Sequence, residues 1–281
     1  MKLPGVFAVL GLVALAAWAE FPTDAVILET SDQGETLLLA GKESEMDVPR
    51  EPASTFKAVI AWAALDRGLV VDVEKPLEGA DGDNLRMALQ KSLNPPFDLL
   101  AVELGGEVLG KYAEQSGLIQ GKIPGRWMVG REKEARHGAD LMTTIRREHQ
   151  VAVAWMKGEF PWNGEAGRKL QEALLWKSAE KPIRAKTGTY GGSVWVTGYG
   201  PGKAVTVWLP GGLPRRPEAL KIFFGLRTND SSLCKNHSIS IKCQRDKVKV
   251  SKKQNLLPGA EATMDVRATS NTANGYDPFG V

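Results

Sequence analysis

The sequence predicts a mixed α/β fold of the α+β kind. An antiparallel sheet is formed by both ends of the folded segment, with an all-helical region inserted between them. Three observations lead there. Strand signals open the segment, helical periodicity fills its middle, and strand signals return near its end.

Residues 24–30 (DAVILET) and 35–41 (ETLLLAG) are short apolar runs joined by Ser31-Asp32-Gln33-Gly34, the pattern of a hairpin. Pro49 and Pro52 break the chain, and a helix is expected from Ser54 to Arg67, ending at Gly68. Its Phe56, Val59, Ile60, Ala63 and Ala64 recur at helical spacing. Further helices are expected at about 84–91, 96–105, 107–116, 139–157 and 165–178. Strand character returns at 193–197 and 204–208, flanking Gly200-Pro201-Gly202. A last helix follows the Pro-rich break, over 218–226.

Composition divides the chain further. Residues 1–19 read as a secretory signal: Lys2, an apolar run from Val6 to Ala17, and an Ala17-Trp18-Ala19 cleavage site. The run is short for a membrane span, so a membrane association is expected only if it stays uncleaved. The folded part is then exported, to the periplasm or another compartment of the cell envelope. Residues 20–227 form the expected catalytic domain, and residues 228–281 a partly disordered extension rich in Ser, Asn, Thr and Lys. All eight Trp precede residue 228, whereas Cys234 and Cys243 follow it, and the two thiols could form one local bridge. The extension holds eight Lys or Arg against five Asp or Glu, so it carries the whole formal charge of +3. That balance is too mild to argue for nucleic acid. Two Cys and the scattered His137, His149 and His237 show no metal-ligand spacing, so no metal is expected.

Three short patterns carry chemistry. Ser54-Thr55-Phe56-Lys57 opens the first long helix. Residues three apart share a helix face, so Lys57 can reach the Ser54 hydroxyl and, if burial lowers its pKa, take its proton. Alone the pattern is weak: about one Ser-x-x-Lys is expected by chance at this length, and a helix cap followed by an exposed lysine looks the same. Lys186-Thr187-Gly188-Thr189 precedes the Trp195 strand. A lysine and hydroxyls on a strand edge can bind a carboxylate, and Gly188 lets a ligand approach the backbone. A solvated edge strand with a protective lysine is the plain alternative. Ser92-Leu93-Asn94 lies between two helices before Pro95-Pro96, where a simple helix cap is the ordinary reading.

Ser-x-x-Lys, Ser-x-Asn and Lys-Thr-Gly in this order resemble the signature set of the penicillin-recognising serine enzymes. That superfamily holds the penicillin-binding D,D-transpeptidases and carboxypeptidases and the serine β-lactamases. The resemblance covers roughly residues 22–227 and includes Pro52-Ala53-Ser54-Thr55-Phe56-Lys57 and Trp195-Val196-Thr197-Gly198-Tyr199. It implies a β-lactamase/transpeptidase-like fold, Ser54 as nucleophile, Lys57 as general base and Ser92 as proton shuttle. It also implies that Asn94 contacts the substrate amide and that Lys186 and Thr187 bind its carboxylate. The N–H groups of Ser54 and Thr189, beside Gly188, would form the oxyanion hole. The expected substrate is a β-lactam or a D-alanyl-D-alanine-type peptide.

The Glu-x-x-Leu-Asn motif of class A β-lactamases and the Tyr-x-Asn motif of class C are absent. A class D-like β-lactamase is therefore the first expectation, a D,D-peptidase the second and a non-catalytic β-lactam sensor the third. Trp127, in Arg126-Trp127-Met128-Val129-Gly130, resembles the class D tryptophan that contacts a carbamylated lysine, and core packing is its alternative. Lys57 would then carry CO2 as a carbamate, the one modification expected, with no other cofactor. Asn94 argues the other way, since class D enzymes usually have an apolar residue there. The 38 residues from Ser54 to Ser92 are also fewer than either branch leads one to expect.

Overall fold

The computed structural model describes residues 21–124, 127–176 and 181–228. The expected signal segment, the extension beyond Thr228 and both cysteines lie outside the described residues. Contacts divide the chain into one compact unit, Met1–Val248, and a second, Lys249–Val281, which is outside them entirely.

The sheet has six antiparallel strands in the order β2-β1-β6-β5-β4-β3. They are β1 (Val26–Ser31), β2 (Thr36–Ala40), β3 (Leu175–Trp176), β4 (Ile183–Tyr190), β5 (Ser193–Gly200) and β6 (Lys203–Pro210). The β1–β6 pairing, from Val26 opposite Trp208 to Ser31 opposite Lys203, joins the two ends of the domain. Side chains alternate across the sheet, as the two-residue period of a strand requires. Ile27, Val205 and Val207 pack with Ala219 and Phe223 of helix α7 (Arg216–Thr228) on one face. Val26, Leu28 and Trp195 pack with Ile145 of α5 (Ile145–Lys157) on the other.

The helical region contains α1 (Lys57–Asp66), α2 (Leu85–Lys91), α3 (Pro95–Leu104), α4 (Gly106–Gln115) and α6 (Glu165–Ala173). Every residue of α1 from Lys57 to Leu65 is buried. Such a helix is enclosed on all sides by others, so it has no polar face to present. It thereby carries a lysine into the interior.

Three expectations need correction. The first helix does not begin as an α-helix at Ser54: residues Ala53–Phe56 form a 3-10 turn that leads into α1. Ala53 there has φ +54°, outside the helical region. The helix expected over 139–157 begins only at Ile145. Thr143 is taken up in an isolated bridge with Arg50, and Thr144 caps the helix by accepting from the Arg147 N–H. The helix expected over 165–178 ends at Ala173, because Leu175 and Trp176 pair with Arg184 and Ile183. The Lys186 strand is longer than its motif, running over eight residues, and it is paired with β3 only at Ile183 and Arg184. Beyond Arg184 that edge runs beside the Ser54 turn.

Candidate active site

The turn carrying Ser54 is held from several directions. An added Cβ at Gly188 would lie 3.0 Å from Thr55 N and 3.1 Å from Pro52 O, so β4 approaches the turn as closely as a glycine permits. Trp195 donates its indole N–H to Glu51 O at 3.2 Å, just ahead of the turn. Ser54 is buried, with 6% of its surface exposed.

Lys57 is the first residue of α1 and is fully enclosed. Its Nζ donates to Ser92 O at 2.8 Å, Leu93 O at 2.7 Å and Asn94 Oδ1 at 2.7 Å. All three ammonium protons are therefore spent on one three-residue segment, and none is directed at Ser54 Oγ. The expectation that Lys57 meets the Ser54 hydroxyl directly is corrected on this point. Burial, reinforced by the Arg136 charge, brings the Lys57 pKa down to about 7, while Asp98 opposes the shift. The three oxygen acceptors favour the charged form as well.

The Ser92-Leu93-Asn94 segment links α2 to α3. Ser92 is left-handed at φ 59° and ends α2, while Asn94 occupies the N-cap position of α3. The capping alternative holds for position only, because the Asn94 side chain makes no cap bond and turns to Lys57. The left-handed Ser92 directs its carbonyl to Lys57 and its hydroxyl to Lys186, whose Nζ donates to Ser92 Oγ at 3.1 Å and to Thr187 O at 2.7 Å.

Lys186 is buried completely, and burial together with the Lys57 and Arg216 charges holds its pKa well below the usual lysine range. Thr189 follows on β4, opposite Val194. Trp127 is buried with its ring edge-on to Phe56, and its N–H donates to Ala139 O at 2.8 Å. That donor is committed to a backbone carbonyl, the packing role weighed for it above.

Several neighbours were not singled out from the sequence. Arg216, at the start of α7, donates to Thr187 Oγ1 at 3.2 Å and sets a permanent cation beside the Lys-Thr-Gly strand. Its only sequence signal is its place in the Arg215-Arg216-Pro217 break. His137 stacks on Tyr190 at 4.8 Å between centroids, while Arg136 pairs with Asp98 at 2.7 Å. Glu148 did carry a signal: it shares the face of Ile145, Ala152 and Trp155, an acid on an otherwise apolar stripe.

Residues 25–125, which contain Ser54, Lys57, Ser92 and Asn94, match the family described as penicillin binding protein transpeptidase domain. No curated protein sequence matches the chain. Among solved structures, a class D β-lactamase from Fusobacterium nucleatum subsp. polymorphum is similar at 17% identity and TM-score 0.60, over 72% of this chain and 91% of that one. One from Bacillus subtilis gives 16% and 0.61, over 77% and 92%. One from Nostoc gives 16% and 0.61, over 71% and 90%. At such identities the likeness establishes the fold, which is that of the β-lactamases and transpeptidases. Family match and fold are thus both of the kind that the Ser-x-x-Lys, Ser-x-Asn and Lys-Thr-Gly set resembles, the first over residues 25–125 and the second over 71–77% of the chain.

Proposed function

We propose that this protein is a serine acyl-transfer enzyme that opens a β-lactam, or an equivalent acyl-D-alanyl bond, by attack of Ser54. The observation that carries the reading is that three separate sequence motifs meet one another. Lys57 is bound to Ser92, Leu93 and Asn94, Ser92 to Lys186, and Gly188 packs against the Ser54 turn.

With a pKa of about 7, a substantial part of Lys57 is neutral near neutral pH. Loss of one proton leaves two N–H donors for three oxygen acceptors and frees a lone pair. Lys57 then takes the Ser54 proton as Oγ bonds to the carbonyl carbon. The N–H groups of Ser54 and Thr189 receive the oxyanion. As the C–N bond breaks, Ser92 passes its own proton to the leaving nitrogen and regains one from Lys57. Lys186, Thr187 and Arg216 hold the substrate carboxylate. The leader expected at residues 1–19 would deliver this chemistry outside the cytoplasmic membrane.

How the acyl group leaves is a separate matter, and the surroundings of Lys57 favour the second of the two branches. A carbamate on Nζ is an anion, and in this pose it would face three oxygen acceptors. Trp127, meanwhile, gives its N–H to Ala139. The Asn94 environment thus favours a slowly deacylating enzyme of the D,D-peptidase kind over a carbamate-dependent class D hydrolase.

The test is intact-mass analysis after mixing with a labelled penicillin. A 1:1 adduct that vanishes in Ser54→Ala is the expected result. An adduct that persists in that variant, or none in the wild type, overturns the mechanism. Long adduct lifetimes unaffected by bicarbonate support the peptidase branch, and bicarbonate-stimulated turnover restores the class D one.

A further inference from the structure

Thr55 follows the nucleophile, and its hydroxyl makes two very short contacts. Oγ1 lies 2.5 Å from Pro52 O and 2.6 Å from Glu148 Oε1. Each is an oxygen–oxygen hydrogen-bond distance, and each needs a proton between the oxygens. Thr55 owns one hydroxyl proton. A carbonyl oxygen carries none, and an ionised carboxylate is acceptor-only. Two contacts with one proton would leave two oxygens in repulsion at van der Waals overlap. The missing proton therefore belongs to Glu148.

The surroundings of Glu148 agree with that count. It has no exposed surface, and its other oxygen, Oε2, has no hydrogen-bond partner. An isolated buried carboxylate is far more costly than a neutral acid. The charged group whose field reaches it is Lys186 of β4, which is also buried and is not bonded to it. Its helix neighbour His149 turns to Thr30 of β1 and Thr206 of β6. Desolvation raises the Glu148 pKa to about 8, against the opposing pull of Thr55 and Lys186.

The turn held by this contact is one that needs holding. Ala53 sits at φ +54°, which for a residue with a Cβ costs on the order of 1–2 kcal/mol unless its surroundings enforce it. Behind the turn, Thr55, Glu148, Trp155 and Trp162 line a cavity of about 10 Å³. The indole N–H groups of Trp155 and Trp162 are, like Oε2, buried without partners.

We propose that Glu148 is a positioning residue for the nucleophile: as a neutral acid it donates to Thr55 Oγ1, Thr55 donates to Pro52 O, and this two-link chain sets the pose of Ser54. Ionisation of Glu148 removes one proton from the chain, leaves one contact repulsive and loosens the turn. The role rests on the reading of Ser54 as nucleophile. The protonation of Glu148 does not.

The experiment has two readouts on the full chain. The first is the infrared carboxylic-acid C=O stretch of Glu148 at pH 7, assigned by its loss in Glu148→Gln. The second is the rate of acylation by a fluorescent penicillin between pH 5 and 10, for wild type, Glu148→Gln and Glu148→Ala. We expect the band to be present and the wild-type rate to fall on an alkaline limb near pH 8. Glu148→Gln, which keeps a donor for Thr55 and cannot ionise, should retain the rate and lose that limb. Glu148→Ala should fall at least tenfold while its circular dichroism stays native. If Glu148→Ala does not fold, Thr55→Val, which breaks the chain from the other side, should show the same loss. Absence of the band, or an unchanged alkaline limb in Glu148→Gln, overturns the proposal even when acylation proceeds normally. Absence of any wild-type adduct overturns the Ser54 reading and the positioning role with it, while a band in the same sample would leave the protonation of Glu148 standing.

Discussion

Lys186 of the sheet donates to the hydroxyl of Ser92, between α2 and α3, at 3.1 Å. The same serine gives its carbonyl to Lys57 at 2.8 Å, so one left-handed residue touches both buried lysines. Burial lowers both lysine pKa values, with the Arg136 and Arg216 charges adding to the shift at Lys57 and the Lys57 and Arg216 charges adding to it at Lys186. These surroundings support the anionic substrate and the base role of Lys57 proposed above.

The acid side of the activity profile should report Lys57. Acylation is expected to rise with pH through about 7, as the Lys57 ammonium loses its proton. Stability should follow the same group. The folded state holds this proton only below about 7 and the unfolded chain up to 10.5, so between those values the unfolded state binds more protons. Stability therefore rises with pH in that window, and Lys57→Met should flatten this part of the curve. Chemical denaturation at several pH values, beside stopped-flow acylation, would check both.

Asn94→Val removes one of the three acceptors on Lys57. A hydrogen bond to a charged group contributes about 1.5–3 kcal/mol, and about 1.4 kcal/mol corresponds to one pKa unit. The acid limb should accordingly move down by about one to two units. An unmoved limb would show that Asn94 does not tune the base.

Gly188→Ala puts a methyl group 3.0–3.1 Å from Thr55 N and Pro52 O, both backbone atoms of the Ser54 turn. Neither can move without moving Ser54. Overpacking of this sort costs about 1–3 kcal/mol, and acylation should fall by more than the stability loss alone would produce. Melting curves measured alongside adduct formation would separate the two effects.

Arg216→Ala should act on binding. The guanidinium sits beside Thr187, so its removal is expected to raise the penicillin concentration for half-maximal acylation about tenfold, with little change in the saturated rate. A β-lactam lacking the carboxylate should not distinguish the variant from wild type. A fall in the saturated rate instead would assign Arg216 to the chemical step.

Much of this architecture could be read from the chain before folding was considered. The hairpin of β1 and β2, the helices α2, α3 and α4, and the strand β6 follow local periodicity within one or two residues, and β5 runs three residues past its expected end. Errors fell where a long-range contact overrode local preference. Residues 139–144 have helical composition, yet Thr143 pairs with Arg50, far away in sequence. Leu175 and Trp176 leave the helical pattern to pair with β4.

The site divides along the same line. By itself the sequence determined which chemical groups exist and in what order: Ser54, Lys57, Ser92, Asn94, Lys186 and Thr187, on elements that local pattern could place. Only the tertiary structure decided what each group faces. Lys57 spends its protons on a segment 35–37 residues away, Arg216 arrives beside Thr187 from α7, and Glu148 meets Thr55 from 93 residues away. Those contacts exist because burial removes water from polar groups and forces each to find a partner wherever the packed chain provides one. A motif names the lysine proposed as the base, and the partners set by packing determine what that lysine faces.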